Sequence, residues 1–84
     1  MPPSPSSGPV KRSVMIAGHS TSVSLEPLFW EALREAAEEE GVPLSALVAR
    51  LDAERVGSAD PPNLASYLRM WLFLKAKPGA RDSA

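Results

Sequence analysis

The sequence has no cysteine and one histidine among 84 residues, and each shortage removes a class of chemistry. Without cysteine there is no disulfide framework, no thiolate nucleophile and no thiolate-bound metal, and a reducing cytoplasm is the expected compartment. One histidine is too few for a zinc site built from protein ligands, so no metal is expected. The longest apolar run, Met70 to Leu74, falls far short of the roughly 20 residues that span a bilayer. The start Met1-Pro2-Pro3-Ser4-Pro5 has no basic segment leading into an apolar one, so no secretory leader is expected. These exclusions point to a soluble cytoplasmic chain with no cofactor and no membrane partner.

What is present suits one small domain. A hydrophobic content of 44% over 84 residues gives a core so small that a second chain is expected to cover part of it. The net charge of −1 is unevenly spread. Residues 1–25 carry +2, from Lys11 and Arg12; residues 26–40 carry −5; residues 41–60 carry −1; residues 61–84 carry +3. A polyanion is therefore repelled by the middle of the chain and attracted by its ends.

Residues 1–9 are dominated by proline and serine, a composition that cannot offset the entropy of ordering, and a disordered tail is expected there. The domain is expected over 10–77. Val14 and Ile16 alternate with Ser13 and Met15, and Val23 and Leu25 alternate with Ser22 and Ser24, a period of two that predicts strand. Gly18-His19-Ser20 lies between the two patterns, so one interrupted ribbon and a hairpin are both open, and whether residues 13–17 form a second strand is open with them.

From Pro27 the period changes. Phe29, Trp30, Leu33, Ala36 and Ala37 recur at three and four spacing, Glu fills the other side, and Gly41 supplies a left-handed stop, which predicts a helix over 27–40. Glu38, Glu39 and Glu40 lie against the negative end of that helix, locally unfavourable. Leu44, Leu47, Val48 and Leu51 mark a second helix over 44–56, ended by Gly57. Asn63 is a good cap for a third helix over 64–77, and its apolar residues cover more than one face. Residues 78–84 are expected to fray.

Strand, helix, Gly plus an apolar residue, then a second helix, as in Thr21-Ser-Val-Ser-Leu-Glu-Pro-Leu-Phe-Trp through Glu40-Gly-Val-Pro-Leu-Ser-Ala-Leu-Val-Ala-Arg50, resembles the ribbon-helix-helix proteins. Lys11-Arg-Ser-Val-Met-Ile-Ala-Gly-His-Ser-Thr-Ser-Val-Ser-Leu-Glu-Pro, followed by Phe29-Trp30, Leu33, Gly41, Leu47-Val48, Asn63-Leu64 and Arg69, is similar to a bacterial subfamily of short proteins of that kind. The resemblance implies a mostly α fold with a short β-ribbon: a ribbon-helix-helix unit plus a third, C-terminal helix, in an intertwined homodimer whose strands pair antiparallel. It implies a transcriptional regulator that inserts the ribbon into the major groove of double-stranded DNA. Ser20, Ser22 and Ser24 would face the DNA, the Leu44 and Ser45 amides with the Ser45 hydroxyl would hold a phosphate, and Lys11 and Arg12 would add phosphate contacts. Val23, Leu25, Phe29, Leu33, Leu47, Val48 and Leu51 would form the dimer core.

Two departures bear on this reading. Serine reaches less far than the forked Arg, Lys, Asn or Gln groups that read a base edge with two hydrogen bonds. Pro43 stands where a Ser or Thr cap is common, which removes one side-chain acceptor and one amide from the clamp.

Each feature also has a plainer explanation. The serine row fits the solvated face of any amphipathic strand, and His19 fits a polar turn residue better than a pH sensor. Phe29, Trp30 and Trp71 at helical spacing fit core better than a ligand pocket. Glu31, Glu35 and Glu39 sit on an exposed helical face with no nucleophile beside them, so no catalytic residue and no enzyme is expected. Arg50 and Glu54 have the i, i+4 spacing of a surface pair. The alternative function is a protein-interaction or oligomerisation module that uses the acidic first helix or the apolar third. In a variant of either, Trp71 and Phe73 join dimers into tetramers.

Overall fold

The computed structural model describes residues 8–77. The tail expected over 1–9, apart from Gly8 and Pro9, and the frayed end over 78–84 lie outside the described residues. The element order is β1 (Val10–Ile16), β2 (His19–Leu25), α1 (Pro27–Glu40), α2 (Leu44–Val56) and α3 (Leu64–Ala76). The segment ahead of α1 is a hairpin formed within one chain, which answers the question left by the Gly18-His19-Ser20 interruption. Ala17 and Gly18 both take positive φ, 51° and 82°. That is the requirement of the tight two-residue turn whose twist matches antiparallel strands.

The register runs from Ile16 opposite His19 to Val10 opposite Leu25. Val14, Ile16, Val23 and Leu25 point into the protein, and the intervening residues point out. α1 begins where Pro27 fits the first turn, and it ends at Gly41, whose φ of 71° lets its amide and that of Val42 donate back to the carbonyls of Glu38 and Ala37. α2 starts at Pro43, a cap without a side-chain hydrogen bond. α3 starts at Asn63, whose side-chain oxygen accepts from the amides of Ala65 and Ser66.

Among the described residues thirteen apolar ones form one core: Val14 and Ile16 from β1, Val23 and Leu25 from β2, Trp30, Leu33, Ala36 and Ala37 from α1, Leu47, Val48 and Leu51 from α2, and Leu68 and Leu72 from α3. Composition predicts that one chain lacks the interior to cover its bulky residues. β1 folds back on β2 and packs on α2, adding two β-branched residues to the core, while Met15, Leu28, Val56, Met70, Phe73 and Leu74 remain exposed on the single chain. Within the single chain Val23, Leu25, Leu33, Leu47, Val48 and Leu51 are buried, with Phe29 half-buried at the edge and Trp30 taking the deeper place.

The three glutamates that end α1 each have a cation beside them, one on α1 itself and two on other helices. Glu38 accepts from Arg34 at 2.8 Å, Glu40 from Arg50 on α2 at 2.5 Å, and Glu39 lies 3.3 Å from Lys75 on α3. Arg50 therefore turns chiefly to Glu40, and Glu54, its neighbour by sequence spacing, is 3.9 Å away. Such exposed pairs each contribute little to stability, but two of them join α1 to a different helix.

Candidate nucleic-acid interface on the hairpin

The two faces of the hairpin differ in chemistry. Residues paired across antiparallel strands share a face, so Lys11 with Ser24, Ser13 with Ser22, and Met15 with Ser20 make the outer face. Ser20 and Ser22 are exposed and Ser24 is half-buried. Lys11 is exposed and has no carboxylate within ion-pair distance among the described residues.

Arg12 lies opposite Val23 and belongs to the inner face. Its guanidinium sits 5.4 Å from the centre of the Trp30 ring, a cation–π distance. The Trp30 indole N–H donates to the Val10 carbonyl at 2.8 Å, which meets the need of a buried indole for an acceptor. The structure thus separates the two basic residues: Lys11 stands on the face with the serines, and Arg12 clasps the strand to α1.

The proposed phosphate clamp stands at the start of α2. Ala46 and Leu47 donate to the Pro43 carbonyl at 3.0 and 3.2 Å, so the first two amides, of Leu44 and Ser45, are the ones left open by the helix. Ser45 is exposed and Leu44 half-buried. His19 opens β2 opposite Ile16 and is exposed, a turn-closing residue.

A groove of about 520 Å³ runs along the edge of β2, lined by Thr21 to Ser24 on one side and by Asp52, Arg55 and Asn63 on the other. Arg55 is held there by Asp52 at 2.8 Å and by the Pro62 carbonyl at 3.0 Å, so its charge is spent on fixing the α2–α3 connection. Arg69 plays a similar part at the other end of the sheet. It donates to Glu26 at 2.9 and 3.1 Å and lies over Phe29. The backbone amide of Glu26 itself, and then the Arg69 guanidinium, hold that carboxyl below the usual carboxylate range. Arg50 lowers Glu40 in the same way, and Arg34 lowers Glu31. Burial, and then the Glu54 carboxylate that accepts from its hydroxyl, raises Tyr67.

α3 does not present Trp71 and Phe73 together. Trp71 packs against the core with Lys75 over its ring, while Phe73 is 64% exposed beside Met70 and Leu74. Sequence reasoning missed Ser13 and Met15 as members of the outer face, because their placement depends on β1 pairing with β2. It also missed the Glu26–Arg69 pair, whose partners are 43 residues apart. Among the described residues no cluster of three or more His, Cys, Asp or Glu could hold a metal ion, and no helix is long and apolar enough to cross a membrane.

A paired ribbon backed by helices, with a polar row on its outer face, defines the class. The model of the ribbon-helix-helix domain matches residues 9–76, and the chain belongs to that family, whose members are typically DNA-binding regulators. Among solved structures, an uncharacterized protein from Bordetella pertussis Tohama I is similar at 32% identity with a TM-score of 0.69. The match covers 80% of this chain and 54% of that one, so this chain spans about half the length of the solved relative. Among curated proteins none matches.

Proposed function

We propose that the chain is a homodimeric DNA-binding protein of regulatory function that places an antiparallel ribbon in the major groove of duplex DNA. The observation that carries this reading is the outer face of the hairpin, where small polar side chains and the unpaired Lys11 stand clear of the core. A two-stranded ribbon is an element that the major groove admits, and membership of the family supports the same use. The open amides of Leu44 and Ser45 are suited to a backbone phosphate, and Arg12, exposed beside the Trp30 ring, supplies a further cation to the hairpin. The second copy is seated on apolar side chains that one chain leaves in water, chiefly Met70, Phe73 and Leu74 of α3.

Duplex binding at low salt, followed by fluorescence anisotropy, tests the reading. Log affinity should fall against log salt with a slope near −0.9 per phosphate neutralised. Absence of binding at low salt overturns it. One observation favours a second reading, a protein-interaction module: the same α3 row is apolar, and its flanking cations Arg69 and Lys75 are occupied by Glu26 and Glu39. Mass in solution separates the two. If the α3 row seats a second copy, Phe73→Asp turns a dimer into a monomer; if it seats another protein, the purified chain is a monomer already.

A further inference from the structure

We propose that α3 packs antiparallel against α3 of a second copy, with Met70 of one chain against the partner's Phe73; this names the element that fills the α3 seat and rests on the homodimer reading above. On a helix, residues three, four and seven apart share a face. The exposed side chains Ser66, Met70 and Phe73 follow that spacing, Lys77 continues it just past the end of α3, and Leu74 stands beside them. The opposite face is spent on the core through Leu68 and Leu72. A stripe of this spacing is the pattern that another helix covers, and the second copy brings one of matching length and chemistry.

The middle of the stripe is a hollow of about 290 Å³ lined by Arg69, Met70, Phe73 and Leu74. It lies between two rows of i, i+4 spacing, Arg69–Phe73 and Met70–Leu74, the kind of groove that a ridge of side chains on another helix enters. Three of its four walls stand in water, Met70 at 52%, Phe73 at 64% and Leu74 at 54% exposure. Together they offer on the order of 300 Å² of apolar surface, taking about 200 Å² for a whole large side chain. A stable pair buries roughly 600 Å² per partner at the low end, so this contact is weak and the association it drives depends on concentration.

Charge favours a second copy as the occupant and sets its direction. Arg69, on one border of the stripe, is neutralised by Glu26 of its own chain at 2.9 Å, and the Tyr67 hydroxyl, on the other border, donates to Glu54. The hollow therefore presents no unpaired charge at its centre, and two copies meet there without repulsion. α3 has no acidic residue, and Lys75 and Lys77 both lie at its C-terminal end. A parallel pair would stack Lys77 on the partner's Lys77 with no carboxylate of α3 to separate them. A two-fold axis through the hollow with the helices antiparallel sets Lys77 against the small Ser66 of the partner subunit instead.

Cross-linking of the full chain tests the direction, in a protein with no native thiol. Ser66 and Lys77 are both exposed. The single variants Ser66→Cys and Lys77→Cys, mixed in equal amounts at a concentration where the chain is dimeric and treated with a short bis-maleimide, should link to each other. Like positions should link little, because in the antiparallel pair they lie roughly 16 Å apart along the axis at 1.5 Å per residue. Cross-links that favour like positions overturn the arrangement. Sedimentation equilibrium tests the contact itself: Phe73→Asp should weaken dimerisation roughly ten-fold or more. Glu26→Gln, which leaves Arg69 an unpaired cation, should weaken it about five-fold at low salt and regain the wild-type value at high salt; no salt response overturns the part given to Arg69. A dimer that ignores Phe73→Asp overturns the α3 contact and leaves the homodimer reading standing, whereas a wild-type chain that stays monomeric up to its solubility limit overturns both. Circular dichroism melting confirms that each variant is folded.

Discussion

The two faces of the hairpin are made from the same fourteen strand residues, yet they differ in chemistry and burial. The inner face buries Val14, Ile16, Val23 and Leu25 and uses even its one charged residue, Arg12, to cover Trp30. The outer face buries nothing completely and holds Lys11, Ser13, Met15, Ser20, Ser22 and Ser24. A period of two is enough to separate a buried face from an exposed one along one backbone, because neighbouring side chains point to opposite sides. Substitutions should therefore alter stability on one face and binding on the other.

The largest contrast comes from Leu25, fully enclosed on the inner face. Leu25→Ala should lower the unfolding free energy by roughly 2–5 kcal/mol, measured by urea denaturation, and a loss below about 1 kcal/mol would mean that the hairpin is not seated on the helices as described. Trp30→Phe keeps an aromatic ring but removes the indole donor to Val10. It should cost about 1–2 kcal/mol and speed hydrogen exchange at the β1 amides more than at those of α2.

A smaller change of opposite sign is expected at the turn. Ala17 takes a positive φ that suits Asn better than Ala, so Ala17→Asn should raise stability by roughly 0.5 kcal/mol, read from the same denaturation curves. Ser22→Ala, on the outer face, should stay within about 0.5 kcal/mol of the parent. A large loss there would break the division between the faces.

Acid tests the ion pairs around this framework. Glu26, Glu31 and Glu40 are each held below the usual carboxylate range in the folded protein. Their contribution is complete at neutral pH and is lost as pH falls through those lowered values. The Tm should therefore decline on acidification, and Glu26→Gln should make that decline shallower. An unchanged profile would mean that the Glu26–Arg69 pair adds nothing measurable.

Much of this fold is legible in the sequence. Helices over 27–40, 44–56 and 64–77 are expected from three and four spacing, Pro27, Gly41 and Asn63, and the structure has them at Pro27–Glu40, Leu44–Val56 and Leu64–Ala76. Gly41 and Asn63 were informative because their work is local: one allows a left-handed turn, the other caps amides two and three residues on. The candidate site was legible only in part. Ser20, Ser22 and Ser24 follow from the period of β2, whereas Ser13 and Met15 join them through a pairing that the period alone leaves open. Arg12 reads as a free cation until Trp30 is brought beneath it, and the Glu38-Glu39-Glu40 run reads as unfavourable until Arg34, Arg50 and Lys75 are placed against it.

Local rules were sufficient wherever the interacting groups lie within a turn or two of helix or alternate along one strand, and those groups settled the elements, their ends and their apolar faces. Tertiary structure alone decided that β1 completes the sheet within the same chain, that Arg12 and Lys11 part company, and that Met70, Phe73 and Leu74 are left in water. Each of these depends on contacts between distant segments, whose energies are set by geometry and exclusion of water rather than by residue type along the chain.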